Sequence, residues 1–132
     1  MTENTPPFTI TRLTDVEDMA AKHGFSDTHE TRFASDDLDA KRTGVSHHRL
    51  RPGKRQPFGH RHDDAEEVYV VLSGSGRMKL DDEIVEISEL HAIRVAPGVI
   101  RAFEGGPDGI ELLAFGARHE RDGEVIQGWW TD

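Results

Sequence analysis

Phe58-Gly59-His60-Arg61-His62-Asp63-Asp64-Ala65-Glu66-Glu67-Val68-Tyr69-Val70-Val71-Leu72 is the stretch on which the reading of this chain turns. In an extended segment, residues two apart project to the same face. His60 and His62 therefore present two imidazoles to one side. A turn through Asp63-Asp64-Ala65 brings the next strand alongside, where a glutamate points into the same space. Two histidines and one carboxylate form the facial ligand set of non-haem iron sites, and the set also suits Zn, Mn or Ni. By alternation, Glu67 inward means Glu66 outward, with Tyr69 and Val71 lining the same cavity. Within Glu67–Leu72 both faces are apolar, Tyr69 and Val71 on one and Val68, Val70 and Leu72 on the other. A barrel strand needs only its inner face apolar, so the N-terminal arm, a second sheet layer or a second subunit is expected to cover the outer one.

Moving outward, the chain from Gly44 onward consists of short strands separated by turn signals. Val45–Arg51 ends at Pro52-Gly53. Glu66–Ser73 is followed by a turn at Gly74-Ser75-Gly76, and Arg77–Leu80 and Ile84–Ile87 form a hairpin through Asp81-Asp82-Glu83. His91–Ala96 stops at Pro97-Gly98, Arg101–Glu104 breaks at Gly105-Gly106-Pro107, and Ile110–Ala117 closes the set. This pattern predicts an all-β sandwich or barrel. Upstream, Thr14-Asp15-Val16-Glu17 reads as a capping box, with Val16, Met19 and Ala20 at helical spacing and Gly24 as a stop. A short helix is expected over about 15–23. Thr28 to Lys41 reads as a polar arm or edge strand, with Asp36-Asp37-Leu38-Asp39 as a solvated turn. The resulting organisation is an N-terminal arm (1–43), a barrel (44–117) and a tail (118–132). Trp129 and Trp130 are expected to dock that tail on the barrel or on a partner subunit.

The run His60-x-His62-x4-Glu67-x6-Gly74 resembles the first signature of the cupin superfamily. The leading glycine of that signature falls on Lys54, with Gly53 one position off. The second signature aligns on Gly98, with Leu90, Ala96 and Gly105 replacing its first glycine, its proline and its asparagine. Arg101 stands where the family places a fourth ligand, a histidine. The resemblance spans roughly residues 44–117 and is to the small single-domain cupins of bacteria. It implies a double-stranded β-helix (a jelly-roll barrel), frequent homodimers, and a ligand site inside the barrel mouth. It implies no single reaction, because cupins include oxygenases, isomerases, lyases, sugar-binding and storage proteins.

Arg101 divides the functional readings. Arginine stays protonated and donates no lone pair, so it is no ligand. In one arrangement His60, His62 and Glu67 bind a divalent metal while Arg101 swings aside to anchor a small anionic ligand. In the other Arg101 forms a bidentate ion pair with Glu67, the histidines hydrogen-bond around it, and no metal binds. The barrel is then a metal-free module for a small anion or sugar, without catalysis. His48 shares its face with Leu50 and so faces the site, more as a buried, hydrogen-bonded histidine than as a ligand. His47 then points outward. Gln56, Phe58 and Phe103 are placed to line the cavity mouth, although core packing is the simpler role for both phenylalanines. Tyr69 offers a hydroxyl. His91 reads as a strand-edge residue, and His23, His29 and His119 as surface residues.

Composition bounds the rest. At 132 residues the chain makes one domain. A formal net charge of -9 argues against phosphate backbones and anionic lipid, hence against nucleic-acid and membrane partners. The absence of cysteine removes disulfides and thiolate chemistry. Met1 to Phe8 has no basic region followed by an apolar one, so a signal peptide is not expected and the location is read as cytoplasmic.

Overall fold

A computed structural model describes residues 6–118 and 122–131. Its strands are β1 (His29–Phe33), β2 (Thr43–Leu50), β3 (Phe58–His62), β4 (Glu67–Leu80), β5 (Glu83–Ser88), β6 (Ala92–Val95), β7 (Arg101–Ala117) and β8 (Gly123–Gln127). One short helix, α1 (Met19–Lys22), precedes them.

Two long antiparallel strands, β4 and β7, organise the barrel. Glu67 lies opposite Gly116 at one end of the pair and Leu80 opposite Arg101 at the other. The first half of β4 is flanked by β6, and the second half of β7 sits beside β2 and then β1. The second half of β4 is flanked by β5, while the first residues of β7 meet β3, which pairs with β8. Two half-sheets thus share the same two strands and fold onto one another. Leu50, Tyr69, Val71, Met78, Val95, Phe103 and Leu112 fill the space between them.

The bend that allows this lies where two turns were expected. Gly74-Ser75-Gly76 and Gly105-Gly106-Pro107 do not end strands; each lies inside a continuous one, and register shifts occur at Val71/Ser73 and Gly74/Gly76. Extra residues of this kind kink and twist a strand without breaking its pairing. Gly74 has φ +77°, and a Cβ there would fall on the Gly109 carbonyl oxygen. Glycine is required at that close approach.

The N-terminal helix is shorter than expected, and its cap is different. Leu13–Asp15 forms a 3-10 turn, so Thr14 caps nothing. Asp18 Oδ1 instead accepts from Ala20 N at 3.0 Å and from Thr31 N at 2.9 Å. One carboxylate oxygen thereby starts the helix and ties it to β1, which a local capping box does not do. Gly24, at φ +85°, ends the turn.

Residues 123–127 form β8, a strand the sequence reading did not anticipate. Beyond it, Trp129 packs so closely on β3 that a Cβ at Gly59 would lie 2.6 Å from its ring. Trp130 is buried, with the Arg55 guanidinium 4.2 Å and that of Arg77 5.4 Å from its ring centre. Among the described residues no helix is long and apolar enough to cross a membrane.

Candidate metal centre and its cavity

Strand β3 delivers His60 and His62 on one face, and the first residue of β4 delivers Glu67 opposite them. Their ligand atoms lie within 4.8 Å of one another, and no other group of three such donors converges among the described residues. His60 Nε2 is 3.8 Å from Glu67 Oε1, and His62 Nε2 is 3.5 Å from Oε2. The two imidazoles stand almost perpendicular, with centres 5.4 Å apart. Glu66 points the other way and pairs with Arg94 on the surface, as strand alternation requires.

Arg101 is completely buried beneath the cluster. Its Nη2 donates to Glu67 Oε1 at 3.0 Å, its Nε to the Tyr69 hydroxyl at 3.1 Å, and its Nη1 to the Val99 carbonyl at 2.7 Å. The guanidinium is therefore held on three sides and does not line the cavity. It is not placed to swing out to an anion, and its contact with Glu67 is through one nitrogen. Tyr69 donates a short hydrogen bond to the same Oε1, and its hydroxyl lies 3.4 Å from His60 Nε2.

This network divides the carboxylate into two. Oε1 faces Arg101 and Tyr69, whereas Oε2 faces His62 and the cavity. Burial acts to raise the Glu67 pKa, but hydrogen bonds with His60, His62 and Tyr69 and the charge of Arg101 outweigh it and hold the carboxyl far below its usual range. Burial lowers the pKa of His60 against the raising effect of Glu67, which favours a neutral imidazole with a free lone pair. Burial first, and then the carboxylate, raise the Tyr69 phenol and keep it a donor.

Behind His62 stands a residue that the sequence reading missed. Asp122 Oδ2 lies 3.5 Å from His62 Nδ1. The same carboxylate accepts from the backbone N–H groups of Asp63, Asp64 and Ala65 at 2.9–3.0 Å, closing the turn between β3 and β4. A carboxylate on the outer nitrogen of a ligating histidine fixes the ring orientation and raises its basicity. The donor set thus fits a divalent ion, with Glu67 Oε2 and the two Nε2 atoms as the groups that would hold it.

The cluster opens into a cavity of about 840 Å3 whose wall also includes Phe25, Phe33, Phe58, Phe103 and Tyr69. Both Phe58 and Phe103 line it, and Phe103 also packs on Tyr69 with ring centres 4.9 Å apart. Gln56 borders the cavity, but its side-chain carbonyl accepts the Phe103 N–H at 2.9 Å. His48 faces the cavity as well. Its Nε2 bonds Ser46 Oγ at 2.8 Å, and burial pushes its pKa down to about 3. It stands outside the three-donor cluster. His47 lies on the opposite face yet is buried, 2.6 Å from Glu111.

His29, expected at the surface, is buried in the cavity wall because β1 folds back along β2 and Phe25 stacks on the imidazole at 5.9 Å. His91 accepts the Ser88 N–H at an exposed turn, and His119 lies outside the described residues.

No family model matches the chain, and no curated protein matches it in sequence. Solved structures do match it. A cupin protein from Bacteroides fragilis superposes with a TM-score of 0.70 at 23% identity, covering 89% of each chain. The polyketide cyclase RemF from Streptomyces resistomycificus gives 0.73 at 20% identity, over 94% of this chain and 87% of that one. Oxalate decarboxylase from Bacillus subtilis gives 0.62 at 20% identity, over 74% of this chain and 28% of that one. The chain therefore has the cupin fold, a double-stranded β-helix, with a His-His-Glu cluster on the wall of its cavity.

Proposed function

We propose that the protein is a small-molecule cupin that holds a divalent metal ion on His60, His62 and Glu67. The observation that carries this reading is the convergence of the three donors within 4.8 Å. Its support is the Oε2 of Glu67, which faces His62 and the cavity, and the Asp122 carboxylate behind His62. Iron, manganese, nickel and zinc all accept such a set. Bound there, the ion would polarise a ligand oxygen or activate water or dioxygen. Among the structural neighbours, oxalate decarboxylase carries Mn(II) centres, and RemF is a polyketide cyclase. In this reading Arg101 stays where it is, fixing Glu67 by charge rather than touching the ligand.

Mass-spectrometric metal analysis of tag-free protein tests this. Near-stoichiometric metal is expected in the wild type and is expected to be lost in His62→Ala. A wild type that stays empty after incubation with each metal would favour a second reading, a binding module without metal. The observation behind that alternative is the 3.0 Å contact from Arg101 to Glu67, which already supplies the carboxylate with a cation.

We further propose that two copies associate through the outer face of the β4–β7 pair. Leu72 and Phe115 are 38% and 37% exposed there, and Val68 lies opposite Phe115. Apolar side chains clustered on an outer sheet face mark association surfaces. Sedimentation equilibrium is expected to give twice the chain mass for the wild type and the single mass for Phe115→Glu. A monomeric wild type would remove this proposal.

A further inference from the structure

The polar groups of the cavity wall are unequally satisfied. Gln56 and His48 have partners within the protein. His29 is only 3% exposed and belongs to the cavity wall, yet its Nδ1 is buried without a hydrogen-bond partner among the described residues. Buried polar atoms in folded proteins are almost always paired, so an orphan beside a cavity signals a partner that arrives from outside the chain. The orphan is set in an aromatic frame. Phe25 lies nearly parallel to the imidazole at 5.9 Å, and Phe58 meets it edge-on at 6.3 Å. Phe33, 57% exposed, stands in the same wall.

Charge narrows the class further. Arg101 is sealed beneath the cluster, and Arg118, the one arginine of the cavity wall among the described residues, already bonds the Ala40 carbonyl and Asp36. Glu67 contributes a negative charge, in a chain whose formal net charge is -9. Apart from a metal on the cluster, an anion entering this cavity would meet, among the described residues, a carboxylate and no uncommitted cation, a costly arrangement in a partly desolvated site. A sugar would set many hydroxyls against phenylalanine. We infer that the cavity takes an uncharged, flat, aromatic molecule carrying a hydroxyl or keto oxygen, and that His29 is the hydrogen-bond partner of that oxygen. The volume of about 840 Å3 accommodates several fused rings. Burial lowers the pKa of the imidazole and favours its neutral form, which can either donate or accept.

This inference rests on the cavity being a small-molecule site but not on the metal. Its test uses 2-naphthol and naphthalene, titrated by fluorescence into the whole protein, with glucose and oxalate as competitors. Both aromatics are expected to saturate, with 2-naphthol bound about tenfold more tightly through its one extra hydrogen bond. In His29→Phe that preference is expected to vanish while naphthalene binding holds within about twofold. Phe33→Ser, at an exposed position, is expected to weaken both and covers the case in which His29→Phe does not fold. An unchanged preference in His29→Phe would overturn the role of His29. Binding of oxalate or glucose without either aromatic would overturn the ligand class. A wild type that takes up no metal yet binds 2-naphthol would overturn the metal reading alone. A metal-loaded protein indifferent to both aromatics would overturn this inference alone.

Discussion

Replacing Arg101 with methionine is expected to destabilise the protein by about 3–5 kcal/mol, the usual cost of removing one partner of a buried ion pair. Arg101 has no solvent exposure, and the side chain of Glu67 is only 19% exposed. Without the guanidinium, Glu67 Oε1 keeps its negative charge beside the Tyr69 hydroxyl and a His60 nitrogen 3.8 Å away, with no permanent cation against it. The Val99 carbonyl loses the 2.7 Å donor that now satisfies it. Methionine fills much of the volume, so the loss measures charge and hydrogen bonding more than a cavity. Urea unfolding of wild type, Arg101→Met, Glu67→Gln and the double variant checks this. The double variant should be more stable than additivity predicts, because no uncompensated charge remains. If Arg101→Met unfolds within about 1 kcal/mol of wild type, the pair is not what holds this end of the barrel.

Acid is expected to weaken the fold well above the range in which carboxylates titrate. His48 is the main source, since its pKa is pushed down to about 3 from an ordinary value of 6.5. Burial also lowers the pKa values of His29 and His60, although the charges of Asp18 and Glu67 oppose this. For a base whose folded pKa is depressed, the unfolded chain takes up the proton first. The stabilisation is therefore complete above pH 6.5 and is lost as pH falls from there towards the folded value. At about 1.4 kcal/mol per pH unit, His48 alone accounts for about 2 kcal/mol between neutrality and pH 5. Glu67 acts in the same direction at lower pH. Its folded pKa is depressed, so its contribution is present above the unfolded carboxyl value and is lost as pH falls below it. Denaturant midpoints at about pH 7.5 and pH 5 should differ accordingly in the wild type, and His48→Gln should flatten the difference. Equal midpoints in the wild type would mean that the histidines are not held neutral. A bound metal would steepen the same dependence, because its ligands must be deprotonated.

What could be read from the sequence alone was what local periodicity encodes. Alternation put His60 with His62 and Glu67 apart from Glu66. The density of strand and turn signals announced an all-β barrel. Both follow from a side chain's position along its own strand. The glycine clusters at 74–76 and 105–106 were visible too, but their meaning was not. A glycine-rich turn and a glycine-rich bulge look alike locally, and only the continued pairing of β4 with β7 makes them bulges. Tertiary structure also decided what each charged group meets. Arg101 faces Glu67 because β7 brings residue 101 back beside β3 and β4, 34 residues from its partner. Asp122 reaches the turn after His62 across 57 to 59 residues, by way of a strand with no sequence signal strong enough to announce it. His29 looked polar and exposed among its neighbours, and became a wall of the cavity when β1 paired with β2. A sequence shows which face a side chain takes on its own element; the partner across that face is set by pairing between distant segments, and here those pairings decide the chemistry of the site.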